Sequence, residues 1–298
     1  MKPFIYKFLI ISLLMCSYTE PRLNIYHSDS LYQKFKKKYK NFIDRSSNTR
    51  MIDPKVIQRY ILSNKAEGKA INLKEKFGDD FSNLDFSNFF IKGINFRGFI
   101  LKGVNFSYSN LSEIDMTEAD LTKAQLEGCS IVSALMNKTN FTEADLSLSD
   151  MSNSSIIGGN FINANLNGAN FTDANLTKAN FQNANLSNTF FAGAILTQTD
   201  FTGANLKNAN FTESKCYETI FKDSNLNGSN FYKATLVDSV LQGANLDNAT
   251  FNRSDLRGSD FSYTNLEKGR LNRTSIEDIK IEEIKRKLIL KIREENEY

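Results

Sequence analysis

The chain has 298 residues, with no Trp, three Pro, three Cys and a single His. Its formal net charge of +3 points to no strongly charged partner, and one imidazole with three thiols is thin material for acid–base or metal chemistry. The charge is unevenly spread: residues 1–80 hold 16 Lys or Arg against 8 Asp or Glu, whereas residues 81–275 hold 15 against 19.

Residues 1–19 read as a signal peptide. Lys2 and Lys7 mark a charged start, FLIISLLMC (residues 8–16) is apolar but short for a membrane span, and Ser17 and Thr19 supply small residues for cleavage. Met15 is too large for the residue before a lipidated Cys, which argues against an anchor on Cys16. Residues 20–52 form a leader, RLNIYHSDSLYQKFKKKYKNFIDRSSNTR at its heart, with eight basic residues from position 21 onward against only Asp29 and Asp44. An acid-poor basic stretch behind a signal peptide resembles a plastid transit peptide, which implies entry to the secretory pathway and an organelle of the plastid or apicoplast type. Two other readings stand beside it. One is a disordered basic linker on a secreted or periplasmic protein. The other is a basic helix at a membrane surface, with Leu31, Phe35, Tyr39, Phe42 and Ile43 at helical spacing.

Residues 53–80 are expected to begin with a short helix. Asp53 is a good N-cap, Pro54 suits the first helical position, and Ile57, Tyr60 and Ile61 share one face.

From Phe81 the chain changes character. Stepping by five from Phe81 to Leu271 gives 39 positions in one register, all Leu, Ile, Met or Phe except Cys216. Two residues earlier in most tiles stands a small residue (Ala164, Ala169, Ala174, Ala179), and one residue earlier, most regularly in residues 160–185, stands Asn or Asp. A period of five fits neither a helix nor a flat strand, so the chain must turn a corner once per tile.

This tile, as in FINANLNGANFTDANLTKAN (residues 161–180), resembles that of the pentapeptide-repeat family over residues 81–275. The resemblance implies an all-β solenoid: a right-handed quadrilateral β-helix with four tiles per coil, the large residue and the small one pointing inward. Thirty-nine tiles would then make about ten coils, a rod on the order of 45–50 Å long at about 4.8 Å per coil. Phe and Leu alternate from Phe161 to Phe211, which places Phe columns on two opposite walls and Leu columns on the other two. Leu84, Phe89, Ile94 and Phe99 stand where the tile wants small residues, so the opening coil should be distorted and widened, with the helix covering it. The Asx residues read as turn formers that bond to nearby amides. They also generate sequons such as Asn140-Phe-Thr and Asn170-Phe-Thr as a by-product of the tile.

Residues 276–298 read as an amphipathic helix. Ser275 and Asp278 suggest its start, and Ile281, Ile284, Leu288 and Ile292 form a stripe. It would cap the last coil or, in the alternative, pair two copies through their C-terminal ends.

No catalytic, cofactor-binding or metal-ligating set emerges. The only His, His27, lies in the leader, and Cys129 and Cys216 fall on inward positions too far apart along the rod for a disulfide. The expectation is therefore a non-enzymatic structural or protein-binding scaffold in an organelle lumen, without cofactor or small-molecule substrate and acting on an unknown protein partner. Tyr217, Ile220, Val237 and Val240 meet on neighbouring outward positions as a candidate apolar patch. The alternative is a DNA mimic that binds a topoisomerase or other nucleic-acid enzyme, which the resemblance brings in from quinolone-resistance members. A surplus of 4 acids over the rod is far below the charge density of duplex DNA, so nucleic-acid chemistry is disfavoured. An ice-binding face is disfavoured too, because the Thr122–Thr142 ladder ends at Ile162.

Overall fold

In a computed structural model of the chain, residues 53–266 and 269–282 are described; residues 1–52 and 283–298, with Ile284, Leu288 and Ile292, lie outside them. The described residues fall within one compact unit, Ile52–Tyr298.

Parallel bridges pair residues twenty apart without a slip, from Asp80 with Ile100 to Asp260 with Lys280, and the paired positions advance in steps of five. Four tiles therefore close one coil, and the chain is a four-walled solenoid. Each tile is tied to the coil above through its backbone. Phe86 N–H donates to Asn105 O at 2.7 Å, Asn88 N–H donates to Ser107 O at 3.0 Å, and Asn105 N–H donates back to Leu84 O at 2.9 Å. Every wall thus satisfies its main-chain groups on its neighbours, as buried strands must.

The corner lies two residues after the large inward residue. That position takes a left-handed backbone whether it is Asn163 (φ 57°), Lys178 (φ 60°), Leu148 (φ 57°) or Gly203 (φ 67°). This corrects the expectation that the Asx residue itself makes the turn. The Asx residue sits in the bridge, and its side-chain oxygen accepts the N–H two residues on, as when Thr172 N–H donates to Asn170 Oδ1 at 3.0 Å. It braces the approach to the corner rather than bending it.

The core follows the alternation of the sequence. On the first wall, which runs through Phe81, Phe161 and Phe181, rings of successive coils stack at 4.5–5.2 Å from Phe141 to Phe221. The third wall, through Phe171 and Phe191, repeats this from Phe171 to Phe251 at 4.6–5.3 Å. The two columns meet edge to face, Phe161 against Phe171 at 6.1 Å and 85°. Leu columns fill the second wall (Leu166, Leu186, Leu206) and most of the fourth (Leu176, Leu196, interrupted by Cys216), all fully buried.

The opening coil is less deformed than its bulky residues suggest. Its ladder is intact, Asp80 with Ile100 and Asp85 with Asn105. The hydrogen bond within the tile, from the N–H of the small position to the carbonyl three residues earlier, is 2.9–3.1 Å at Ala and stays within 3.1–3.3 Å at Leu84, Phe89 and Phe99. Phe89 and Phe99 then serve as extra core, edge-on to Phe86 at 5.5 Å and to Phe81 at 5.2 Å.

Helix α1 (Pro54–Ala66) forms as expected, Asp53 accepting Lys55 N–H at 2.9 Å, and buries Ile57 and Ile61 in the same core cluster as Phe81. A second short helix, α2 (Leu73–Phe77), adds Leu73, and Phe77 meets Tyr60 edge-on at 5.4 Å. At the other end the coil outlasts its expected boundary. Ser275 is bridged to Asp255 and Lys280 to Asp260, and Asp278 occupies a left-handed corner at φ 55°. Ser275 and Asp278 therefore extend the repeat instead of starting a helix. Ile281, the one stripe residue within the described chain, is half-buried against the core.

Candidate functional site

The core leaves little for chemistry. Burial raises the thiols of Cys129 and Cys216 to about 12, so neither is a nucleophile at neutral pH. Buried hydroxyls at the small positions, Ser229 excepted, are occupied by the backbone: Thr139 donates to Met116 O at 2.7 Å and Thr199 to Leu176 O at 2.8 Å. Asn side chains are engaged in ladders. Asn165 donates to Asp145 at 3.1 Å, Asn185 to Asn165 at 3.1 Å, Asn205 to Asn185 at 3.1 Å and Asn225 to Asn205 at 3.2 Å. The carboxylate sits at the accepting end, the one place where a group with no proton to give is satisfied. Among the described residues no group of three or more His, Cys, Asp or Glu is placed to hold a metal ion.

What remains are outward side chains. The fold brings the candidate patch together: Ile220 bridges Val240, and Tyr217 lies one coil below Val237. Only Tyr217 is strongly exposed; Ile220, Val237 and Val240 are half-buried.

A second apolar surface was not legible tile by tile. Tyr108, Leu148 and Phe190 are 58%, 63% and 48% exposed around the third wall. Tyr108 lies over Gly128 and Leu148 over Gly168: a Cβ on either glycine would come within 2.7 Å and 2.9 Å of the side chain from the coil below. A shallow depression follows, floored by Gly168 and Asn170 between Leu148 and Phe190, with Asp150 beside it. A hydrogen bond with Glu127 raises the Tyr108 phenol above its ordinary value.

Charges sort along this side of the rod. Glu113, Glu127, Asp145, Asp150 and Asp173 stand on its lower half with Lys92, which pairs with Glu113 at 2.9 Å, and Lys207, Lys233, Arg253, Arg270 and Arg273 on its upper half with Glu213 and Asp247. Lys233 pairs with Glu213 at 2.9 Å, and both Lys233 and Arg253 lie against the Tyr232 ring, at 5.4 and 6.0 Å.

Comparison with known proteins agrees with the tile. A family model described as pentapeptide repeats (8 copies) matches in overlapping segments from residue 80 to residue 212, and one described as a pentapeptide repeat region matches residues 194–286. No curated protein matches. Among solved structures, HetL, a pentapeptide repeat protein involved in heterocyst differentiation regulation in the cyanobacterium Nostoc, is 22% identical over 74% of this chain and 92% of its own, with a TM-score of 0.40. QnrB1, a plasmid-mediated fluoroquinolone resistance protein, is 19% identical over 71% and 96%, with a TM-score of 0.49. A pentapeptide repeat protein of the Arabidopsis thaliana thylakoid lumen is 34% identical over 32% of this chain and 63% of its own, with a TM-score of 0.27.

Proposed function

Since this chain belongs to the pentapeptide-repeat family, we propose that it works as a non-enzymatic binding rod, holding a protein partner against its walls. The observation that carries this reading is that the buried thiols and most buried hydroxyls serve the core and the Asn side chains the ladders, while apolar departures from the tile such as Tyr217, Leu148 and Phe190 face solvent. The patch of Tyr217, Ile220, Val237 and Val240 is the proposed partner site, the place on this corner where four apolar residues adjoin. Lys at Ile220 and Val240 should abolish affinity capture of the partner with the melting temperature unchanged; undiminished capture would overturn the assignment.

The place of action is inferred from the leader alone: a signal peptide over residues 1–19 and a basic transit-like stretch over 20–52 suit a plastid-type lumen. A fluorescent fusion of residues 1–60 tests it, since secretion or retention at a membrane would refute plastid delivery. We take the coil to be right-handed and about ten turns long. DNA mimicry gains no support from the walls, where 15 Lys or Arg stand among 19 Asp or Glu over residues 81–275.

A further inference from the structure

We infer that the third wall is a self-pairing surface, on which two copies of this chain lie side by side and antiparallel about a two-fold axis midway between Asn170 and Phe190. The reading is independent of the partner patch, which lies where the fourth wall meets the first.

Outward positions on a four-walled solenoid form straight columns at twenty-residue intervals. An antiparallel two-fold axis lying in the interface and across the rods brings each column against the same column of the other copy, residues equally far above and below the axis facing each other. The depression fixes the level. Phe190 projects, 48% exposed, beside the hollow floored by Gly168 and Asn170, so an axis between Asn170 and Phe190 seats each copy's Phe190 in the other's hollow.

With that level set, several further outward positions face suitable partners, while Tyr108 and Leu148 face Asn248 and Asn208. Tyr232 faces Val132, fifty residues above and below the midpoint of Thr172 and Ala192. Arg253 faces Glu113, each seventy residues from the midpoint of Asp173 and Gly193, and would join the exposed pair that Glu113 makes with Lys92 at 2.9 Å; Arg270 faces Phe90, which is 70% exposed. The remaining acids of that corner column meet neutral residues, Glu213 against Asn153 and Asp173 against Gly193. Each contact occurs twice, so Phe190 stands as an apolar anchor near the axis and the charged contacts lie toward the ends. A shift of one coil in the rods' relative position would lose the fit: it sets Glu213 against Asp173 and takes Phe190 off the hollow. The narrow wall puts the contact at the small end of specific interfaces, with pairing expected at micromolar concentration.

Sedimentation equilibrium of the full chain should give twice the 33.8 kDa monomer mass at tens of micromolar. Phe190→Glu and Arg253→Glu should each weaken pairing at least tenfold without lowering the melting temperature, and Glu113→Arg added to Arg253→Glu should restore it. Glu113→Cys with Arg253→Cys should cross-link two copies on oxidation, since seven coils separate these positions within one chain. A monomer throughout that range, or a dimer indifferent to Phe190→Glu and to charge reversal, overturns the proposal; the latter outcome assigns pairing to the rod ends.

Discussion

At the scale of single residues, the tile divides its labour so finely that one atom out of place is conspicuous. The small inward position tolerates Ser or Thr because a main-chain carbonyl is within reach, as for Ser109 on Phe86 O at 2.7 Å and Ser154 on Ile131 O at 2.9 Å. Ser229 is the exception: it is fully buried, its Oγ has no partner, and the equivalent residues one coil below and above are Ala209 and Ala249. A buried hydroxyl without a partner costs about 1–3 kcal/mol, whereas Ala at that site leaves nothing unsatisfied. Ser229→Ala should therefore stabilise the rod by about 1 kcal/mol, read as a rise in the midpoint of thermal or denaturant unfolding. Ser154→Ala is the control, and it should destabilise, because its hydroxyl is bonded.

At the scale of elements, a solenoid needs its open ends covered, and α1 shows how. Ile57 and Ile61 are removed from solvent within the cluster that holds Phe81 and Phe86. Replacing both by Asp should unseat the helix and fray the first coil. Hydrogen exchange should then quicken at the amides of residues 81–100, while those of 160–240 keep their protection, because coils exchange stability mainly with their neighbours. Equal loss along the whole rod would refute such local coupling. The helix start at Asp53-Pro54 and the alternating Phe and Leu walls were legible because they occupy inward or capping positions, where packing dictates residue type. The corner was legible only in part: Gly, Asn or Asp holds many of these positions, as at Gly103, Asn163 and Asp173, yet Lys178, Leu148, Glu143 and Tyr263 adopt the same left-handed backbone and blur the mark. The helix start at Ser275 and Asp278 was misplaced for a related reason, since a capping pattern of polar residues is also what the repeat writes on its outer face. The surface around Phe190 needs residues compared at twenty-residue intervals across several columns, and taken tile by tile Tyr108, Leu148 and Phe190 are isolated lapses.

At the scale of the whole rod, the twenty-residue coil is the unit that the core recognises. Deleting residues 165–184 joins Ala164 to Asn185 and removes one coil, leaving Leu186 on the Leu wall and Phe191 and Phe201 on the two Phe walls. Nothing in the interior changes partner, so this shortened chain should fold and unfold cooperatively with a midpoint close to that of the parent. Deleting only residues 165–169 preserves the tile but turns everything above by one wall. Phe171 then lands on Leu146, Phe181 on Ile156 and Leu186 on Phe161, so two rings enter spaces shaped for aliphatic side chains and both stacked columns are cut. Overpacking at each misplaced ring costs about 1–3 kcal/mol. The five-residue deletion, although four times shorter, should be clearly the more destabilising of the two in denaturant unfolding. Equal midpoints would mean that the Phe columns are decoration and that the small inward residues alone hold the four walls together.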